Sequence, residues 1–181
     1  RLDFGHLGGT STNGDPNSWV PEVWDWLITT FNIKSVLDIG CGIGHTQKFF
    51  EDNGIKTLGI DGSKKVLEYH CLKDKSHRHD LTCSAFIPPK RELYNEFDLI
   101  WCCEVAEHIE KEFEHNLINT IKYNCGKIVA FCAAIPGWGG YHHVNCQTPE
   151  YWINKLVEAG FIYREDLTLK GRELCNHIGH G

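Results

Sequence analysis

The fold of this chain depends on nine consecutive residues, Val36-Leu37-Asp38-Ile39-Gly40-Cys41-Gly42-Ile43-Gly44. The run from Ser35 to Ile39 is short and mostly apolar, which predicts a buried strand that ends at Gly40. The glycines permit a tight turn and let backbone amides approach a ligand closely. A helix-like stretch over 45–53 follows, so the segment reads as strand, glycine loop and helix.

Strand-like and helix-like stretches alternate through the rest of the chain. The first helix is predicted to begin at Asn17 or Ser18, with Pro21 in its first turn. Further helices are predicted over 64–72, 107–123 and 149–159, and further strands over 56–60, before Asp80, and over 97–102, 127–133 and 161–169. Such alternation indicates a parallel sheet covered by helices on both faces, a doubly wound α/β fold.

The composition is that of a globular protein with one domain. The chain has 181 residues, 41% hydrophobic and 23% charged, and a formal net charge of -6, which argues against a nucleic-acid partner. No apolar run reaches the roughly 20 residues that cross a bilayer, and residues 1–6 do not resemble a signal peptide. We therefore expect a cytoplasmic protein without a membrane span. The absence of Met suggests that the sequence is one part of a longer, multidomain chain.

Nine cysteines are present, and several of them lie in apolar runs, for example Cys102, Cys103 and Cys132. We interpret them as small buried hydrophobic residues in a reducing compartment rather than as disulfides. No C-x-x-C pair supports a zinc knuckle.

An acidic residue, Asp61, closes the second predicted strand, 21 residues after Gly40. A carboxylate at that position can accept hydrogen bonds from ribose hydroxyls. The glycine spacing is G-x-G-x-G rather than the G-x-G-x-x-G of dinucleotide-binding proteins. A nicotinamide-binding enzyme is the alternative that this pattern leaves open.

From about Trp19 to Phe161 the sequence resembles the class I S-adenosylmethionine-dependent methyltransferases, whose first motif is similar to Asp38–Gly44. The resemblance implies a Rossmann-like, mostly parallel seven-stranded sheet over 18–181, with the last strand missing from this sequence, and an N-terminal arm over 1–17. It also implies S-adenosylmethionine as cofactor. The cofactor-binding residues it implies are Asp38, Gly40, Cys41, Gly42, Gly44, Asp61, Gly62, Asp80, Leu81 and Cys103.

Acids and histidines follow the fourth and fifth strands. If a helix begins after Cys103, then Glu104, Glu107 and His108 share one helix face, and two carboxylates with an imidazole suit Mg or Mn. His142 or His143 could complete the set. The Glu-x-x-Glu-His pattern with a distal histidine resembles the metal-binding residues of small-RNA 2′-O-methyltransferases and of some quinone-biosynthesis O-methyltransferases. His143 matches the distal histidine better than His142 does. The alternative is that the acids cap a helix and a histidine acts as a base.

The segment 136–141 contains three glycines around Trp138 and predicts a loop that can close over an acceptor. We assign Trp138, Tyr141 and His142 to the substrate side; an ordinary surface loop with a packed Trp is the alternative. The other histidines are predicted to be surface residues: His6, His70, His77, His79, His115, His177 and His180.

The predicted activity is methylation of a hydroxyl on a small or glycan acceptor, with His108, His143 and Glu104 as catalytic residues. A sugar is favoured because segment 140–147 resembles methyltransferase domains attached to glycan-building enzymes, including those of large DNA viruses. Metal-dependent RNA 2′-O-methylation and a catalytically silent cofactor-binding module are the alternatives.

Overall fold

The centre of the fold is a parallel sheet, seen in a computed structural model that describes residues 5–7, 13–14, 18–89 and 96–175. Among these residues it has five strands: β1 Ser35–Ile39, β2 Lys56–Asp61, β3 Ser76–Arg78, β4 Phe97–Cys103 and β5 Cys125–Cys132. Their order is β3-β2-β1-β4-β5, and every neighbouring pair is parallel. The order reverses direction at β1, so β1 and β4 flank the point at which open α/β sheets bind ligands.

Helices cover both faces of the sheet. The six α-helices of the described residues are α1 Pro21–Phe31, α2 His45–Asp52, α3 Lys64–Glu68, α4 Glu114–Asn124, α5 Pro149–Glu158 and α6 Glu165–Cys175. On one face Val36 packs with Trp24 of α1 and Phe50 of α2, and on the other Leu37 packs in the cluster that holds Leu117 of α4. Successive strand residues point to opposite faces, so one strand supplies both cores. The predicted doubly wound α/β class is confirmed.

Four predicted elements differ from the structure. The first helix begins at Pro21, with Val20 rather than Asn17 or Ser18 as N-cap, and the helix predicted over 64–72 ends at Glu68. The strand predicted over 161–169 is wrong, because a loop leads into α6, whose first turn carries Glu165 and Asp166. Acidic residues favour a helix N-terminus, and Leu174 packs α6 against the core beneath α1. The helix predicted over 107–123 begins only at Glu114, after two 3₁₀ turns over 106–108 and 111–113.

None of the helices in the described ranges is long and apolar enough to cross a membrane. The cytoplasmic location remains a prediction. All nine cysteines are free thiols; Cys102 is buried, as expected, but Cys132 is exposed and Cys103 is only partly buried.

Candidate active site

The glycine loop joins β1 to α2 and has an unusual backbone. Gly40, Gly42 and Gly44 have φ angles of 73°, 54° and 86°, in the left-handed region that favours glycine. A Cβ atom on Gly40 would lie 2.3 Å from Cγ2 of Val105. The amides of Gly40 and Cys41 both donate to the carbonyl of Ile60, which ties the loop to the end of β2.

Asp61 at the end of β2 is fixed against the same loop. Its Oδ2 accepts from the Gly42 amide at 3.1 Å, and its Oδ1 accepts from the Ser63 amide at 2.8 Å. Asp38 is almost fully buried below the loop, and burial together with the charge of Asp61 raises its pKa well above the usual value. The two acids thus have different environments, one held by amides and one shielded from water.

A cavity of about 670 Å³ opens at the carboxyl ends of the strands. This volume falls in the range of small-molecule and cofactor sites. Nine of the ten residues assigned to the cofactor line it, all except Gly44, and so do four residues assigned to chemistry or substrate: Glu104, His108, Tyr141 and His143. The structure therefore brings the two predicted groups to one cavity.

The expected helix face after Cys103 does not form. Glu104 has a φ of 57°, and residues 106–108 make a single 3₁₀ turn, so Glu104, Glu107 and His108 are not stacked as on an α-helix. The ligand atoms of Glu107, His108 and His143 lie within 4.8 Å of one another. A Glu104 oxygen lies within the same distance of the sulfur atoms of Cys103 and Cys132 instead. The predicted four-residue set is split into two clusters.

Glu107 is the most unusual acid of the site. It is 0% exposed, no described residue makes a hydrogen bond of good geometry to its carboxylate, and His108 Nε2 lies 4.0 Å from Oε1. Burial, and next the charge of Glu104, raise its pKa to about 8, and the nearby amides of Glu107 and Ala134 offset only part of that rise. A buried carboxylate with so few partners is costly unless it is protonated or balanced by a cation.

A loop brings His143 beside this acid. The amides of Val144 and Asn145 both donate to the backbone carbonyl of Glu107, at 2.9 and 3.0 Å. As a result the rings of His108 and His143 meet edge to face, with centroids 4.9 Å apart. Burial, and then the charge of His143, lower the pKa of His108 to about 4, so His108 is neutral at pH 7.

The loop residues assigned to the substrate have different positions. Tyr141 lines the cavity, but Trp138 and His142 are not among the lining residues. The Trp138 side chain is 45% exposed, while its carbonyl lies 3.1 Å from Nδ1 of His143. His142 pairs with Glu110 instead, with 3.0 Å between Nε2 and Oε1. Trp138 thus contacts the site through its backbone.

Three histidines predicted to be surface residues lie in the core or against the cavity. His70, expected on the surface, is 2% exposed and packs against Gly44, where an added Cβ would lie 2.4 Å from the ring. His6 lines the cavity, and its Nε2 lies 2.9 Å from Oδ2 of Asp80. His79 also lines the cavity, and His177 and His180 lie outside the described residues. Composition offered no signal for these contacts, since they join distant parts of the chain.

Comparison with known proteins agrees with this geometry. Residues 37–123 match the family model described as a methyltransferase domain. A SAM-dependent methyltransferase from Archaeoglobus fulgidus superposes with a TM-score of 0.62 at 15% identity, covering 93% of this chain and 90% of that one. Magnesium protoporphyrin IX methyltransferase from Synechocystis, solved with bound SAM, superposes with a TM-score of 0.63 at 19% identity, covering 82% of this chain and 70% of that one. This is a class I methyltransferase fold.

Curated relatives extend the methyltransferase match beyond that segment. The ubiquinone biosynthesis O-methyltransferase of Dechloromonas aromatica is 23% identical over 145 residues, 76% of this chain and 56% of the relative. The ubiquinone biosynthesis O-methyltransferase of Histophilus somni is 34% identical over 82 residues, which are 42% of this chain and 34% of the relative. The chain spans about half or less of the length of these relatives.

The methyltransferase fold gives the cavity two distinct walls. One is formed by the glycine loop, Asp61, and the Asp80-Leu81 segment after β3. The other wall holds Glu104, His108 and His143, and the buried Glu107 has a ligand atom within 4.8 Å of those of His108 and His143. A ligand in the cavity can therefore contact backbone amides and carboxylates from the first group and imidazoles from the second.

Proposed function

We propose that this chain is an S-adenosylmethionine-dependent O-methyltransferase that acts on a hydroxyl group of a small acceptor. The observation that carries the proposal is a cavity that the glycine loop lines together with His108 and His143, beside the buried Glu107. The matched methyltransferase domain and the O-methyltransferase relatives support the same chemistry.

In this proposal the first wall binds the cofactor. The glycine loop lies under its methionine part, Asp61 accepts hydrogen bonds from the ribose hydroxyls, and Asp80-Leu81 contacts the adenine. The amides of Gly42 and Ser63 already hold the Asp61 carboxylate in place, so little ordering is needed on binding.

His143 is the proposed general base. If its Nδ1–H donates to the carbonyl of Trp138, then Nε2 keeps its lone pair and can accept a proton. The acceptor oxygen attacks the sulfonium methyl in line, its proton passes to Nε2, and S-adenosylhomocysteine leaves. His108, neutral at pH 7, adds no competing positive charge beside the base.

A sugar hydroxyl is our first choice of acceptor, because carboxylates and imidazoles on the acceptor wall suit a polyhydroxylated ligand. A phenol is the second choice, since the curated relatives are named for ubiquinone biosynthesis. Phenols have a pKa of about 10, as in tyrosine, so they need less help from a base than a sugar does.

The test measures binding and transfer separately. Calorimetry with S-adenosylmethionine should show one site, and Asp61→Asn should weaken it about 10- to 100-fold, the loss of hydrogen bonds to a charged group. Asp25→Asn, an exposed acid on α1, is the matched control and should bind normally. Labelled methyl transfer to sugars, phenols and RNA oligonucleotides then identifies the acceptor. A wild-type protein that binds no cofactor contradicts the proposal.

As an alternative to the base role of His143, we propose that Glu107, His108 and His143 hold a divalent ion, Mg or Mn, in which case Nε2 of His143 binds the ion and accepts no proton. Their ligand atoms lie within 4.8 Å of one another, and the fully buried Glu107 carboxylate is the kind of group that a cation balances. Nδ1 of His143 faces the backbone carbonyl of Trp138. A histidine that binds a metal through one ring nitrogen commonly donates a hydrogen bond from the other to such a carbonyl. A bound ion would supply Lewis-acid polarisation of the acceptor oxygen.

Chelation tests the metal separately from the cofactor. EDTA should reduce methyl transfer at least tenfold, Mn or Mg should restore it, and cofactor binding should persist. Glu107→Gln should abolish the response to added metal, whereas Glu112→Gln, an exposed acid five residues away, should keep it. If EDTA leaves turnover unchanged, the metal proposal is wrong and His143 acts as a base without an ion.

A further inference from the structure

We propose that Cys103, Glu104 and Cys132 form a binding site for a soft divalent cation, zinc in the first instance, beside the cavity. Its three ligands differ from those of the neighbouring Glu107, His108 and His143 cluster, and it does not depend on the proposed methyl transfer.

The two thiols are brought together by the sheet. Cys103 is the last residue of β4 and Cys132 the last of β5, and the two are register partners in adjacent parallel strands. Register partners in a sheet project their side chains to the same face. The Cys103 and Cys132 side chains are within interaction distance of each other.

The carboxylate is placed by the backbone immediately after β4. The amide of Glu104 donates to the carbonyl of Cys132 at 3.1 Å, which extends the pairing by one residue. The left-handed φ of 57° at Glu104 then turns its side chain back toward β5, where Cys132 Sγ donates to Oε1 at 3.4 Å. The thiol proton thus occupies the position that a cation would take.

The distances suit zinc coordination. One ligand atom from each of the three residues lies within 4.8 Å of the others. Zinc binds thiolate sulfur at about 2.3 Å and carboxylate oxygen at about 2.1 Å in tetrahedral geometry, which places ligand atoms about 3.5–3.8 Å apart. Shifts of about 1 Å would therefore complete a three-ligand shell.

Access and charge also favour a cation there. Cys132 is exposed, and Cys103 and Glu104 line the cavity, so the fourth coordination position opens to solvent. Two thiolates select zinc or cadmium over magnesium, which prefers oxygen ligands. On binding, each thiol loses its proton to solvent and its sulfur bonds the metal, with no change of oxidation state.

Cadmium is the probe, because its thiolate complexes absorb in the ultraviolet whereas its carboxylate and imidazole complexes do not. The reduced, chelator-treated protein should bind one equivalent with a thiolate band and release protons. Cys132→Ser leaves Cys103 as the one thiolate ligand, so it should reduce the band to about half or less and weaken binding by more than the roughly 10- to 100-fold cost of losing an outer hydrogen-bond partner. Zinc in excess should displace the cadmium.

Two further variants separate ligation from folding. Glu104→Gln should keep the fold and the band but weaken binding, because one charged ligand is lost. Cys83→Ser removes an exposed cysteine elsewhere and should change nothing. Retention of the full band in Cys132→Ser, or its loss in Cys83→Ser, would overturn the proposal.

Discussion

His70 lies directly behind the glycine loop, and its hydrogen bonds define one tautomer. Nδ1 accepts from the Leu72 amide at 3.0 Å, so Nε2 carries the proton and donates to Oε1 of Gln47 at 2.9 Å. Gln47 in turn donates to Thr57 Oγ1 and to the carbonyl of Lys75. The neutral ring thus connects Gly44 to β2 and to the turn before β3. A protonated ring would lose the bond from Leu72.

This residue should contribute to the pH dependence of stability. Burial lowers the pKa of His70 in the folded protein below its unfolded value of about 6.5. As the pH falls through 6.5 the unfolded chain takes up a proton that the folded chain does not. The free energy of unfolding should then decrease, by up to about 1.4 kcal/mol per pH unit, until the pH reaches the lowered pKa.

Urea unfolding of wild type and His70→Gln between pH 7.5 and 5 measures this effect. Glutamine can still donate to Gln47 but does not titrate, so the variant should have a shallower decrease. His115→Gln, at an exposed position on α4, should follow the wild type. Equal decreases in wild type and His70→Gln would show that the ring is protonated without penalty.

At the level of elements, the sequence predicts best where burial is continuous. β1, β2 and β4 agree with their predicted ranges to within one residue, because short, mostly apolar runs between turns have few alternatives. The stretch from Phe161 to Leu169 is interrupted by three charged residues, Ile162 is 84% exposed, and α6 begins at Glu165. Contacts of α6 with α1, which no local pattern encodes, decide its structure.

The acids and histidines after β4 and β5 show the same limit of prediction from local sequence. Spacing correctly indicated that residues after β4 and β5 meet, because parallel strands end at one edge of the sheet. It could not indicate that Glu104 adopts a left-handed conformation and turns toward Cys132, or that the Glu107 carbonyl anchors the loop carrying His143. Both depend on hydrogen bonds between segments that are 28 to 38 residues apart in the chain.

At the level of the whole molecule, the N-terminal turn Gly5–Leu7 connects three sides of the cavity. The Gly5 amide donates to the hydroxyl of Tyr141 at 2.7 Å, and His6 pairs with Asp80. Leu7 packs over Gly62, where an added Cβ would lie 2.3 Å from Cδ2. The remainder of the arm predicted over 1–17 lies largely outside the described residues. These three contacts come from separate elements, so the turn spans the cavity as a cover.

Removing the cover should therefore affect ligand retention more than stability. In His6→Ala/Leu7→Ala we expect S-adenosylhomocysteine to dissociate on the order of tenfold faster, a change of about 1.4 kcal/mol, because the part-exposed contact of His6 with Asp80 and the apolar contact of Leu7 are lost. The Tm of the ligand-free protein should change little, while the rise in Tm on adding ligand should shrink, since that rise follows ligand affinity. Stopped-flow displacement and thermal unfolding measure the two quantities, with His115→Ala as the control. A ligand-free Tm that falls as much as the liganded one would show that the turn stabilises the fold instead of retaining the cofactor.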